Sequence, residues 1–369
     1  MCTREDVALR NRSRHKSIPV AAVAVLASTM WHAGCGGPDI DDLIGPFRTE
    51  LGRLASDAET AERIGVAGLD GWLFFSPELR HVSVGRFWGP EATVVSRSRR
   101  AEDADPLPAI QDFKRQLDDL GVELLLVPVP PKAVVYPEKI SHAITTPIPI
   151  PRFDLAHERF YERLRADGID VLDLTDLFIA ERFHPDGPIY CRTDTHWSGT
   201  GCTIAAAAIA GTIRGKGWYH DLDTQPYAAA WYSTTITGDL THEDGVPGLQ
   251  EELRLRGVVS GTGRDRSPLS PDPTSPIVLL GDSHNLVFHA GSDMHATGAG
   301  LPDQLAFELG LPIDLVAVRG SGATAARVNL LRRAQADPEY WSRKQLVIWC
   351  FAARELTESD GWRLVPVAP

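Results

Sequence analysis

Beyond residue 60 the apolar positions fall into two alternating kinds of block. Residues 108–120 carry Ile110, Phe113, Leu117 and Leu120 at helical spacing and stop at Gly121; residues 123–128 (ELLLVP) then run almost wholly apolar. Spacing of three and four predicts a helix with one buried stripe, and a short unbroken apolar run predicts a strand covered on both faces. Residues 153–166, Gly168 and residues 171–174 repeat the unit. After a polar interval the alternation returns as strand 277–280, a helix from 285, strand 313–318, helix 323–336 and strand 345–350. Helix, glycine and apolar strand in succession predict an α/β fold, a central parallel sheet between layers of helices.

Two stretches break the rhythm. An Ala-rich helix is expected over 199–214, and residues 216–276, rich in Gly, Pro and Thr, read as an insertion with only short elements. At the amino end, Arg4, Arg10, Arg12, Arg14 and Lys16 precede a 13-residue apolar run over 18–30, followed by Trp31-His32-Ala33-Gly34-Cys35. This is the layout of an export signal, and the run is shorter than the roughly 20 residues that span a bilayer. Residues 1–34 are therefore expected to be a signal peptide or lipoprotein signal, with Cys35 as the point of lipid anchoring in the second case. Residues 35–60 read as a tether and 61–369 as the folded domain, placed in the periplasm or another extracytoplasmic space.

The 369-residue chain carries 37 basic and 49 acidic side chains, a formal charge of −12. Losing the five basic and two acidic residues of 1–34 leaves 32 against 47, or −15. Such a balance offers nothing to a phosphate backbone, so nucleic acid is excluded as a partner. Beyond Cys35 the chain holds Cys191, Cys202 and Cys350. A Cys191–Cys202 bridge and buried free thiols are both compatible with export.

Two motifs carry chemistry. Residues 277–283 (IVLLGDS) run a buried strand into Gly281-Asp282-Ser283, which puts Ser283 at the carboxyl end of a parallel strand, where open α/β sheets keep their sites. The Ser283 N–H, at the start of the following helix, is suited to an oxyanion. Thr193-Asp194-Thr195-His196-Trp197 supplies an imidazole and a carboxylate two positions apart, the base and its orienting acid for a serine nucleophile. Read alone, Ser283 caps a helix and His196 packs; read together, the two motifs provide a triad. Asp194, His196, His284 and His289 also invite a dinuclear metal reading. Phosphoesterases of that kind set their Asp-x-His on the first strand and add Gly-Asn-His later, and neither feature occurs here, so no metal or other cofactor is expected.

Gly281-Asp282-Ser283 combined with Asp194-x-His196 resembles the SGNH-hydrolase fold in the permuted form of periplasmic alginate O-acetyltransferases of the AlgJ/AlgX type. The resemblance runs from about Gly68 to Leu356. It includes Gly68-Leu69-Asp70-Gly71-Trp72-Leu73-Phe74, Val127-Pro128-Val129-Pro130-Pro131-Lys132, residues 190–197, Gly238-Asp239-Leu240 and Phe351-Ala352-Ala353-Arg354-Glu355-Leu356. It implies a three-layer fold with Ser283 as nucleophile, His196 as base and Asp194 as its orienting acid. The further oxyanion donor would come from Gly320 or Gly322. Arg354, Lys132, Trp197 and Tyr190 are expected to contact substrate, and Trp72 to pack in the core. A polysaccharide would be the acceptor and a membrane-bound O-acyltransferase the source of acetyl groups. An acetylesterase uses the same three residues, and a non-catalytic polysaccharide-binding scaffold would keep only the fold. Only thirteen residues follow Leu356, so no carbohydrate-binding module is expected after the domain.

Overall fold

The computed structural model describes residues 40–241, 248–261 and 267–368. The expected signal, Cys35 and the start of the tether lie outside them. Among the described residues, ten strands form three sheets: β1 (Gly65–Ala67) with β2 (Leu73–Phe75); β3 (Glu123–Val129), β4 (Asp170–Val171), β8 (Ile277–Gly281), β9 (Asp314–Ala317) and β10 (Leu346–Ala352); and β5 (Ala228–Thr237), β6 (Gln250–Ser260) and β7 (Ser267–Pro268). The five-stranded sheet has the order β4-β3-β10-β8-β9 and is parallel throughout.

Alternation along its strands sorts the core into two layers. In β10, Val347, Trp349 and Phe351 join one cluster with the helices Pro106–Asp119, Leu155–Ala166 and Thr324–Ala336; Leu346, Ile348 and Cys350 join the other, with the helices Gly199–Arg214 and Leu301–Leu309. Side chains two apart in a strand face the same way, so a run that is apolar throughout must be covered on both faces. The result is the three-layer, SGNH-hydrolase-like α/β arrangement.

The order of the strands positions the site. β8 lies between β10 and β9, so the chain leaving β8 is flanked by the segments leaving both neighbours. Gly281 is obligatory here because of a close approach: a β-carbon at this position would lie 1.7 Å from the Cys350 carbonyl oxygen. Only hydrogen lets β8 and β10 run side by side to the turn.

Three expectations differ from the structure. Residues 40–60 form a helix, Ile40–Thr60, whose Leu43, Phe47, Leu51, Ala55 and Ala58 are buried in the core, rather than a free tether. The 216–276 stretch contains a ten-residue and an eleven-residue strand paired in antiparallel register. β6 alternates exposed and buried positions from Gln250 to Leu255, the signature of a sheet with one wet face. Finally, no long helix follows Ser283. A single 3-10 turn, Ser283–Asn285, does, and the next helix begins at Leu301. Cys191, Cys202 and Cys350 are free and buried, and burial pushes all three thiols up.

Candidate active site

Ser283 ends the apolar run of β8, and the triad loop meets it from another part of the chain. Residues 190–197 fold on themselves through a bridge between Tyr190 and Trp197, with Cys191 N–H donating to the His196 carbonyl. Ser198 then caps the helix Gly199–Arg214, its hydroxyl accepting from the Thr200 and Gly201 amides. Between bridge and cap, the chain presents His196 at a fixed angle.

The geometry is that of a charge-assisted chain. His196 Nδ1 lies 2.6 Å from Asp194 Oδ1, and His196 Nε2 lies 2.8 Å from Ser283 Oγ. A carboxylate can only accept, so Nδ1 carries the hydrogen and Nε2 of the neutral ring is left to receive the Ser283 proton. Asp194 and His196 are buried, and Ser283 keeps 8% of its surface exposed. Burial alone would push the Asp194 carboxyl up and the His196 imidazole down. Their mutual attraction and hydrogen bond reverse both directions, holding Asp194 well below the carboxylate range and His196 above the ordinary imidazole value.

Around this line stands a shell of acceptors and donors. Gly238, where a β-carbon would lie 2.1 Å from the Thr193 carbonyl oxygen, lets the next residue press against the triad loop. Asp239 N–H then donates to Asp194 Oδ2 at 2.9 Å, and the Asp239 carboxylate takes the Thr195 amide and hydroxyl at 2.7 and 2.6 Å. Buried Glu251, from β6, accepts the amides of Arg192 and Thr193 at 2.8 and 2.9 Å. His295 Nε2 donates to Asp194 Oδ2 at 2.8 Å. His295 has φ +68°, a left-handed backbone that costs a non-glycine residue on the order of 1 kcal/mol. Asp194, His196 and Asp239 are close enough to suggest a cation site, but each ligand-capable oxygen is already receiving hydrogen bonds from this shell.

Below Ser283 a second Asp-x-His pair occupies the turn. Asp282 Oδ1 accepts from the His284 amide at 2.9 Å, and Oδ2 accepts from the Ala352 amide at 2.6 Å, tying the Ser283 turn to the end of β10. His284 is buried, its ring 4.9 Å from that of His196 and edge-on to Trp197. Burial pushes its imidazole down to about 4, despite the attraction of Asp282. A neutral His284 sets no second cation beside His196, where one would oppose proton uptake by that ring.

Of the expected substrate contacts, Arg354 keeps the most exposed surface, 9%, and is buried as well. It leaves the end of β10 over the Phe75 ring, with Nη1 3.7 Å from Glu78 Oε2 and without a hydrogen-bond partner. Lys132 is 2% exposed and donates to the carbonyls of Leu73, Arg192 and Asp194, so its amine braces the triad loop from beneath instead of facing a sugar. Trp197 is fully buried, its Nε1–H bound to the His284 carbonyl. Tyr190 is fully buried too, and its hydroxyl donates to the Pro130 carbonyl. For the oxyanion, Gly322 is unsuitable: its N–H is already given to Glu355 Oε2 at 3.2 Å. Gly320 lies in the exposed turn after β9, with φ +70°. Trp72 packs on Tyr136 in the core as expected, ring centroids 4.2 Å apart.

His295, Glu251 and Glu355 were not visible as site residues from sequence. Asp239 belongs to Gly238-Asp239-Leu240, which by itself predicts no role for its carboxylate. Nothing in the pattern around His295 singles it out, because its importance comes from a loop folding back across 101 positions.

Residues 66–353 match a family model described as the SGNH hydrolase-like domain of the acetyltransferase AlgX. The chain belongs to this family. Among its relatives, the "Probable alginate O-acetylase AlgJ" of Pseudomonas aeruginosa is 33% identical over 318 residues, covering 79% of this chain and 70% of that protein. The proteins of the same name from Pseudomonas syringae and Azotobacter vinelandii are 27% and 26% identical, each again over 79% of this chain and covering 68% and 69% of their own length. In fold, the chain is similar to the O-acetyltransferase domain of Pseudomonas putida AlgJ, with TM-score 0.56 and 22% identity over 79% of this chain and 92% of that one. It is similar also to Pseudomonas aeruginosa AlgX, with TM-score 0.56 and 18% identity over 81% and 65% of the two chains.

Proposed function

We propose that this protein is an O-acetyltransferase that moves an acetyl group, by way of an acetyl-serine at Ser283, onto hydroxyls of an alginate-like exopolysaccharide outside the cytoplasm. The observation that carries the reading is the 2.8 Å approach of His196 Nε2 to Ser283 Oγ, with Asp194 2.6 Å behind the same ring. Its relatives' names supply the acetyl group and the polymer. Among the described residues no helix is long and apolar enough to cross a membrane, so attachment would fall to the amino-terminal segment or to Cys35.

In the first half-reaction Ser283 Oγ attacks the acetyl carbonyl as its proton passes to His196 Nε2. The carbonyl oxygen takes up negative charge facing the Ser283 amide, the first N–H of the 3-10 turn. Collapse breaks the bond to the donor's leaving group, which departs with the proton from His196. In the second half, an acceptor hydroxyl gives its proton to His196 and its oxygen attacks the acetyl-serine. Ser283 leaves with that proton, and the base is restored. Asp194 stays ionised throughout and stabilises the imidazolium. Arg354, buried beside Glu78 at the end of β10, would reach an anionic group of the acceptor only by turning its guanidinium away from that carboxylate. A membrane-bound O-acyltransferase would supply the donor.

The test is acetyl transfer from a chromogenic acetyl ester, with and without polymannuronate, by wild type and Ser283→Ala. Transferase chemistry predicts acetylated polymer with wild type and a loss of about a thousandfold or more with Ser283→Ala. Ester cleavage with no polymer product would identify an esterase, and equal rates in the two proteins would favour a binding scaffold.

A further inference from the structure

Two imidazoles converge on one buried carboxylate, and only one of them reaches Ser283. Asp194 is 1% exposed, and a carboxylate has about four acceptor positions. Oδ1 takes the His196 amide and Nδ1–H, at 3.0 and 2.6 Å; Oδ2 takes the Asp239 amide and His295 Nε2–H, at 2.9 and 2.8 Å. His295 is held for this by its own loop. Its N–H donates to the Ser292 carbonyl, the Met294 carbonyl receives the amides of Phe288 and Ala296, and its ring packs 6.0 Å from that of Phe288. The left-handed backbone at His295 is the conformation in which this loop delivers the imidazole to Oδ2.

We propose that His295 is a positioning residue for acyl transfer: its Nε2–H fixes the plane of the Asp194 carboxylate against His196 and keeps part of the carboxylate charge off that imidazole. The inference rests on Ser283 being the nucleophile. A donor on Oδ2 draws charge away from Oδ1, the atom bonded to His196, so the base is held less firmly in its protonated form. Without His295 the carboxylate swings more freely and its charge gathers on the His196 side. Both the rate and the pH at which His196 becomes available then change. The other charged or titratable groups near this pair are Lys132 on the Asp194 carbonyl, Asp239, Glu251 beneath Thr193, His284 and Arg354, and their hydrogen bonds run to groups other than His295.

The experiment compares wild type, His295→Phe and His295→Gln by two readings across pH: the rate at which a fluorophosphonate labels Ser283, and kcat and KM for p-nitrophenyl acetate. Phe keeps a ring against Phe288 and lacks the donor, whereas Gln keeps an N–H at similar reach. His295→Phe is expected to lower labelling rate and kcat by about 10- to 100-fold, by analogy with the outer partners that orient metal-bound histidines, with KM within about twofold. The midpoint of its acid limb moves to higher pH, and His295→Gln returns both rate and midpoint towards wild type. A folded His295→Phe that labels at the wild-type rate with an unmoved midpoint overturns the proposal, as does a folded His295→Gln no better than Phe. Where His295→Phe does not fold, His295→Asn replaces it, its amide too short for Asp194, and equal rates for Asn and Gln overturn the proposal. Labelling needs neither polymer nor acetyl donor, so wild type that escapes labelling at Ser283 overturns the nucleophile reading and this one together, while labelling indifferent to residue 295 overturns this one alone.

Discussion

Lys132 shows how a residue can belong to a site without touching a ligand. Its motif, Pro130-Pro131-Lys132 after an apolar strand, was legible and placed it correctly at the end of β3; the direction of its amine was not, because that depends on three carbonyls brought in from Leu73, Arg192 and Asp194. Burial pushes this amine down, while neighbouring acids including Glu78 and Asp194 work against that. Replacing it takes a donor from three buried carbonyls, of which that of Arg192 keeps the Leu73 amide, and an acceptor left unserved costs about 1–3 kcal/mol less whatever water can enter to serve it. Lys132→Met should therefore lower Tm by several degrees and reduce kcat through a loosened Asp194 loop, with KM for small esters and for polymer nearly unchanged. A raised KM at unaltered Tm would return Lys132 to the role of substrate contact. Gly322 makes the same point for a backbone group, since its sequence position suited an oxyanion donor but the carboxyl of Glu355 had already taken its N–H.

At the scale of elements, legibility followed the period of burial. Strands covered on both faces announced themselves as unbroken apolar runs, and β3, β8, β9 and β10 all fall within about two residues of the expected positions. The β5–β6 hairpin did not, because it has a wet face and Ala, Thr and Arg fill much of it. Yet it carries Glu251 to the triad loop, so part of the site hid in the segment that looked least structured. The turn after β8 was misjudged for another reason: Asn285 spends its Nδ2 on the carbonyls of Asp282 and Cys350, which ends the 3-10 turn against β10 where a helix would have needed room. That seam predicts an asymmetry between two glycines at strand ends. Gly281→Ala must displace the Cys350 carbonyl and should abolish stable folding or lower Tm by more than ten degrees, with the loss read by circular dichroism. Gly320→Ala meets no atom within 4 Å and bears only the left-handed backbone, costing about 1 kcal/mol. Equal losses for the two would mean that the β8–β10 contact is not as close as described.

For the whole molecule, the buried titratable groups set how stability responds to pH, and their signs can be worked out one by one. Asp194 and Asp282 are held below the ordinary carboxylate value, so they add stability above about pH 4 that is lost as pH falls further. His81, His157 and His284 are driven down by burial and fold as neutral rings, so acid also withdraws stability below about 6.5, where the unfolded chain takes up protons that the native one refuses. Glu355 works from the other side. Desolvation beside Gly322, with Asp282 nearby, pushes its carboxyl up to about 8, against 4.5 when exposed. Across that interval the folded state binds a proton that the unfolded state has released, so stability declines as pH rises and the decline ends near pH 8. The protein should accordingly be most stable in a mildly acidic window, a property of its interior and not of its net charge. Glu355→Gln removes the proton that folding must capture and can still offer an oxygen to the Gly322 amide. Urea unfolding at pH 5.5 and 8 should show the variant gaining on wild type as pH rises, because the three histidines move both proteins alike and only wild type carries the Glu355 proton. Two parallel lines would show that Glu355 is ionised in the native fold and that something other than its burial shapes the alkaline side.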